Sequence, residues 1–204
     1  MRMTTPCGNG TDSGIIRPCY PADQAVMLDI INAAAEAYRG VIPGDRWHEP
    51  YMPAAQLASE IAAGVTFSCY ETRQGVVGIM GVQRRYNANL IRHAYVLPSW
   101  QGQGVGKALI AHLCQDHERP ILVGTWRAAD WAIRFYERFG FTLVPDDDIA
   151  ALLRTYWTVP ERQIATSVVL SLPRFDREGL TELITKAACS EAARSTPATR
   201  KTPA

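Results

Sequence analysis

The chain has 204 residues, 47% hydrophobic and 20% charged, and its 21 basic and 20 acidic side chains leave a formal charge of +1. This length suits one sizeable domain whose core needs no staples, and the balanced charge excludes a strongly basic nucleic-acid footprint. No apolar run approaches the about 20 residues that span a bilayer.

The start, MRMTTPCGNGTDSG, is polar and glycine-rich and lacks the apolar middle of a secretory leader, so residues 1–13 read as a flexible arm. The five cysteines, Cys7, Cys19, Cys69, Cys114 and Cys189, are odd in number and widely spaced. They form no CxxC pair and no zinc-type cluster with histidine. Cys69 and Cys114 sit among apolar residues, as small core fillers do. A reduced, cytoplasmic protein without metal and without membrane contact is expected.

IIRPCYP (15–21) predicts a short strand. From Asp23 to Tyr38 the apolar positions Met27, Ile30, Ile31, Ala34 and Tyr38 recur at helical spacing, and Gly40 closes that helix. Residues 41–53 carry three prolines and read as a loop, followed by a second helix over 54–63. VTFSCYE (65–71) and VVGIMGVQRR (76–85) predict a hairpin across TRQG, and NLIRHAYVL (89–97) a further strand. After the glycine turn at 102–106, Val105, Leu109 and Leu113 form a helical stripe. ILVGTW (121–126) is an unbroken apolar run, as in a strand buried on both faces. AADWAIRFYERFG then sets Trp131, Phe135 and Phe139 at i, i+4 and i+8, with Gly140 in the C′ place. FTLV, a short helix near 148–156, and TSVVLSL (166–172) complete the order. REGLTELITKAACSEAA predicts an amphipathic helix, and the last ten residues are expected to be disordered. The pattern is an α+β domain over 14–172, flanked by the arm and by a C-terminal extension over 173–204.

The stretch YVLPSWQGQGVGKALIAHL (95–113) spends glycines at 102, 104 and 106 just before a helix. A Walker loop fails here, because Ala108 replaces the magnesium-binding hydroxyl and Gln101 stands where the first glycine belongs. A dinucleotide fingerprint fails at Lys107. The shared physics survives: a helix start has unpartnered N–H groups and about half a positive charge, and glycines let the backbone approach an anion closely. The turn therefore suits a phosphate group, although a plain structural turn would also use one or two glycines.

The set Val96, Pro98, Gln101, Gly104 and Gly106 resembles the acetyl-coenzyme A loop of the GNAT superfamily of N-acetyltransferases, and AIRFYERFGF (132–141) resembles its later motif. The resemblance covers 14–172. It implies a mixed, mostly antiparallel central sheet of about seven strands with helices on both faces, splayed between the fourth and fifth strands. It further implies that main-chain amides of Gln101, Gly102, Gln103, Gly104, Val105, Gly106 and Lys107 hold the pyrophosphate of acetyl-CoA, and that Tyr95 and Val96 pair with the pantetheine arm. Amides near a bulge would polarise the thioester carbonyl. The family often places Asn seven residues before its tyrosine; that position is Ala129 here.

The resemblance makes Tyr136 the donor to the departing thiolate, although its spacing alone fits an aromatic beside the Trp131–Phe135–Phe139 stripe. A phenol near ~10 protonating a thiolate near ~8.5 is uphill by roughly 2 kcal/mol. His93 suits a base by its chemistry, and equally suits a half-buried strand histidine. Glu36 is a second candidate on the first helix. Asp45, Trp47 and Tyr51, with Arg46, His48 and Glu49, lie where the family builds acceptor pockets, but would serve equally in an exposed loop anchored by aromatics. His112 and His117 are five residues apart and form no i, i+4 metal pair.

The expected activity is acetyl transfer from acetyl-CoA to a primary amine, foremost of a small molecule. The alternatives are a protein or peptide acetyltransferase and a coenzyme A-binding sensor without catalysis; near-zero charge disfavours aminoacyl-tRNA. Pairing of two chains through the terminal strands, common in the family, carries over as an expectation.

Overall fold

The structure, a computed structural model, describes residues 13–115 and 118–195. The expected arm with Cys7, the end of the tail from 196 onward, and His117 lie outside the described residues. Seven strands and seven helices follow in the order β1 (Ile15–Pro18), α1 (Gln24–Ala35), α2 (Ala54–Ala62), β2 (Val65–Thr72), β3 (Gly75–Arg85), β4 (Ala88–Val96), α3 (Val105–Leu113), β5 (Ile121–Trp126), α4 (Asp130–Glu137), β6 (Thr142–Leu143), α5 (Asp146–Tyr156), α6 (Glu161–Ile164), β7 (Ser167–Leu172) and α7 (Arg177–Ser195). Of these, α6 has no counterpart in the sequence reading, and α1 gives way to a 3-10 turn over Glu36–Tyr38.

The strands form one sheet in the order β1-β2-β3-β4-β5-β7-β6. Every neighbouring pair is antiparallel except β4 and β5, which are joined through α3 by the crossover that parallel strands require. The burial pattern follows the sequence periodicity. Val65, Phe67 and Cys69 alternate inward along β2, whereas Ile121, Leu122 and Val123 of β5 are all buried. On α1, Met27, Ile30, Ile31 and Ala34 bury one face. One apolar cluster joins α1 and α2 to β2 and β3; a larger one gathers α3, α4, α5 and α7 against the central strands. Helices thus cover both sheet faces, as expected.

Two irregularities prepare the site. The β4–β5 ladder runs only from Asn89↔Ile121 to Ile91↔Val123, after which the strands part. In β4, Gly81 pairs with Arg92 but Ile79 pairs with Tyr95, so His93 and Ala94 together oppose Met80. This is a β-bulge, and His93 takes a positive φ of 54° within it, a conformation that is uncommon outside glycine and asparagine.

The C-terminal extension is structural at its start. Leu180, Leu183 and Ala187 of α7 are buried, and the Tyr156 hydroxyl lies 2.7 Å from Asn87 Oδ1 and 3.1 Å from the Leu183 carbonyl.

Candidate active site: a cleft between parting strands

Where β4 and β5 separate, a cleft of about 730 Å³ opens, walled by Ala94, Tyr95 and Val96 on one side and by Gly124 and Thr125 on the other. The glycine turn closes one end, and α4 contributes Trp131, Phe135, Tyr136, Arg138 and Phe139. That volume is in the range of ordinary ligand pockets.

The turn answers its own sequence puzzle. Gly102 and Gly104 have φ of 76° and 87°, in the left-handed region where a Cβ is costly. A Cβ built on either would meet no atom within 4 Å, so both face open space. Gly106 has a different reason: its Cβ would stand 3.2 Å from the Phe135 ring. The first helical bond runs from Ala108 N–H to the Gly104 carbonyl at 2.9 Å, so the amides of Val105, Gly106 and Lys107 precede the α3 ladder and have no partner within it. Side chains brace the turn: Gln101 Nε2 donates to the Val96 carbonyl at 3.1 Å and Gln103 Nε2 to the Ser99 carbonyl at 2.8 Å. Lys107 and Arg138 supply positive charge along the cleft walls. The result is an open cradle of amides and cations that fits a diphosphate.

Tyr136 is 6% exposed, with edge contacts to Phe135 at 5.2 Å and Phe141 at 5.6 Å. Its hydroxyl is not in bulk water. Burial, and then the neighbouring Tyr38 phenol, raise its pKa. Burial also pushes the Tyr38 phenol up to about 12, with Tyr51 adding to the rise and the Thr125 side chain opposing it. The Tyr95 phenol is raised for the same first reason, with Tyr51 and Tyr38 next. The aromatic stripe of α4 borders both the cleft and the core: Trp131 is 40% exposed, and Phe135 and Phe139 are half-buried cleft walls that also pack on the core. Ala129 is fully buried before α4 and offers no polar side-chain atom.

His93 lines the cleft, stacked on Phe67 at 5.9 Å. Its Nε2 is buried without a hydrogen-bond partner and lies 3.6 Å from Glu60 Oε2. Arg92 grips both oxygens of Glu60, at 2.9 and 2.7 Å. Burial pushes the Glu60 carboxyl up, but His93 and Arg92 outweigh it and hold it below the ordinary range. Glu60 carries no motif, and nothing in its sequence surroundings marks it.

The expected acceptor residues gather on the rim rather than in the cleft wall. Arg39 bridges Glu36 at 2.8 Å and Glu49 at 2.6 Å and lies over the Trp47 ring at 4.6 Å. Asp45 faces Arg46 at 3.7 Å and Arg162 at 3.5 Å. Tyr51 packs against Trp47 and stacks on Tyr38, which in turn meets Trp131 at 5.4 Å. Tyr38, Thr125, Trp131 and Arg138 are cleft residues that the sequence reading did not assign to a site.

Among the described residues, Cys19, Asp23 and Cys69 set potential ligand atoms within 4.8 Å of one another. Both oxygens of Asp23 already accept from Arg17, at 2.7 and 3.1 Å, so the guanidinium occupies the side from which a cation would be held.

Residues 63–143, from the end of α2 to β6, match the family model of the acetyltransferase (GNAT) domain. Solved structures share the fold at low identity. The PaiA N-acetyltransferase of Thermoplasma acidophilum, in complex with coenzyme A, is 15% identical, with a TM-score of 0.60 over 78% of this chain and 98% of that one. The ribosomal-protein-S18-alanine N-acetyltransferase of Escherichia coli is 15% identical, with a TM-score of 0.57 over 80% and 97%. Ard1 of Thermoplasma volcanium is 18% identical, with a TM-score of 0.56 over 80% and 99%. No curated protein sequence matches the chain.

Proposed function

We propose that this protein transfers the acetyl group of acetyl-CoA to the primary amine of a small molecule, by direct attack within a ternary complex. The observation that carries the reading is the cleft at the β4–β5 parting, which ends on the open cradle before α3. When bound, acetyl-CoA supplies the acyl group as an activated thioester.

The chain's own groups divide the work. Amides from Gln101 to Lys107, with Lys107 and Arg138, hold the diphosphate. The Tyr95 and Val96 backbone aligns the arm as an added strand would. Amides at the His93–Ala94 bulge donate to the acyl oxygen as negative charge develops there. His93 takes a proton from the amine, whose lone pair then forms the new N–C bond as the C–S bond breaks. Tyr136 donates a hydrogen bond to the departing sulfur.

The Tyr38–Tyr51 stack with Trp47 tilted against it, and the arginine-bound carboxylates around them, support a small acceptor. A peptide acceptor is the second reading, and the bacterial ribosomal-protein-S18-alanine enzyme among the structural neighbours favours it. A thiol-release screen of small amines, amino acids and peptides with acetyl-CoA tests both. Turnover with small amines is expected. Turnover with peptides alone would select the second reading, and bound acetyl-CoA with no turnover on any acceptor would reject the enzyme.

A further inference from the structure

Two consecutive residues of β4 reach one carboxylate. A regular strand sends neighbours to opposite faces, but the bulge and the positive φ at His93 break that alternation. Arg92 and His93 therefore converge on Glu60, 2.7 and 3.6 Å from its Oε2. Arg92 fixes the carboxylate through both oxygens and also donates to Gln83 Oε1 at 2.9 Å, while Phe67 fixes the plane of the imidazole. The one buried polar atom of this group without a hydrogen bond is His93 Nε2, and it lies on the side of Glu60.

We propose that Glu60 is a positioning residue: its carboxylate selects the His93 tautomer with hydrogen on Nε2 and so leaves the Nδ1 lone pair to receive the proton of the acceptor amine. The inference rests on His93 being the base. Hydrogen bonds of catalytic groups are often long before substrate arrives and tighten in the complex, which accounts for 3.6 Å. Once Nδ1 has taken the proton, the imidazolium faces the anionic Glu60 and is stabilised by it; the proton then leaves to solvent. The charged groups described around the ring are Glu60 from α2 and Arg92 from β4, and the surrounding Phe67 and Gln83 are uncharged.

The test compares Glu60→Gln, His93→Ala and the double variant. Calorimetric affinity for acetyl-CoA is expected to stay within about twofold in all three. Glu60→Gln should lower kcat by roughly tenfold to a hundredfold, within the reach of general-base catalysis. Long-range ¹⁵N NMR should show hydrogen on Nε2 of His93 in the native protein and a loss of that preference in Glu60→Gln. In the His93→Ala background the same substitution should change nothing further.

Full additivity of the two rate losses, or an unchanged tautomer signal, would overturn the role of Glu60 while leaving His93 as base. Native turnover in His93→Ala would instead defeat the base assignment itself, and the proposal with it. Should Glu60→Gln not fold, Glu60→Asp withdraws the carboxylate by one methylene and is read by the same signal. A weakened Nε2–H preference supports the role and an unaltered one refutes it.

Discussion

Tyr136 shows what burial does to a phenol. Its neighbours are aromatic edges and another phenol, so the charged form is disfavoured and the hydroxyl stays protonated throughout the working pH range. Complete transfer of its proton to a thiolate is then more uphill than in water, and in the proposed mechanism its contribution is a hydrogen bond to the sulfur as charge accumulates. Replacement by Phe should cut kcat by roughly tenfold to a hundredfold, with calorimetric affinity for acetyl-CoA nearly constant; an unchanged kcat would remove Tyr136 from the mechanism. The same shift means that kcat should show no fall from tyrosine ionisation between about pH 8 and 10. Sequence spacing alone does not separate the two readings of this residue, for a physical reason. Apolar periodicity reports which face of a helix avoids water, not whether a core or a ligand covers it. Trp131, Phe135 and Phe139 have the spacing of a core stripe and line the cleft, Phe135 and Phe139 packing on the core as well, while Tyr136 beside them is the buried one.

At the scale of elements, the glycine turn was legible because its signal is local. Three glycines before an apolar repeat demand unusual backbone or close approach, and the structure uses both, at Gly102 and Gly104 and at Gly106. Gly104→Leu should abolish measurable binding of acetyl-CoA by calorimetry, since the side chain both strains a φ of 87° and enters the open cradle. Gly104→Asn, which tolerates the left-handed region, should keep more of the native melting temperature, so a folding defect is separable from a binding defect. Retained affinity in the Leu variant would contradict the cradle. The β4 bulge had no such signature. A bulge is a mismatch between partners, set by the registers of β3 and β4 together, and no residue in NLIRHAYVL announces it. The meeting of Glu60 with Arg92 and His93 follows from that mismatch and from the packing of α2, across a separation of 32 residues. Sequence reading named His93 without being able to see its partner. It also gave Glu36 and Asp45 to the acceptor, and the structure sets each beside arginine on the rim.

The whole molecule is held at its first strand by a charge clamp. Arg17 of β1 pairs with Asp23 before α1 and with Glu71 of β2, each at 2.7 Å. Hydrogen bonding to Arg17 depresses both carboxyls below their usual range. Groups depressed in the folded state stabilise it above their unfolded values, near ~4, and lose that contribution as pH falls through the folded values. Arg17→Met should therefore lower stability at neutral pH and flatten its fall between about pH 5 and 2, as read from urea midpoints across that window. A slope identical to the native one would show that other carboxyls govern acid unfolding. The order of elements, the hairpin and the parallel crossover were all recoverable from the chain, because period and turn residues encode them directly. Only the short α6 went unforeseen among the described helices, since its four residues hold too few apolar positions to show a period.

The parting of β4 from β5 gives this sheet two interior borders besides its outer ones. Beyond Ile91 and Val123 the main-chain groups on these borders have no strand partner across the gap. A guest that paired with both borders would knit the two halves of the domain into one continuous layer, so that loading and stiffening would be a single event.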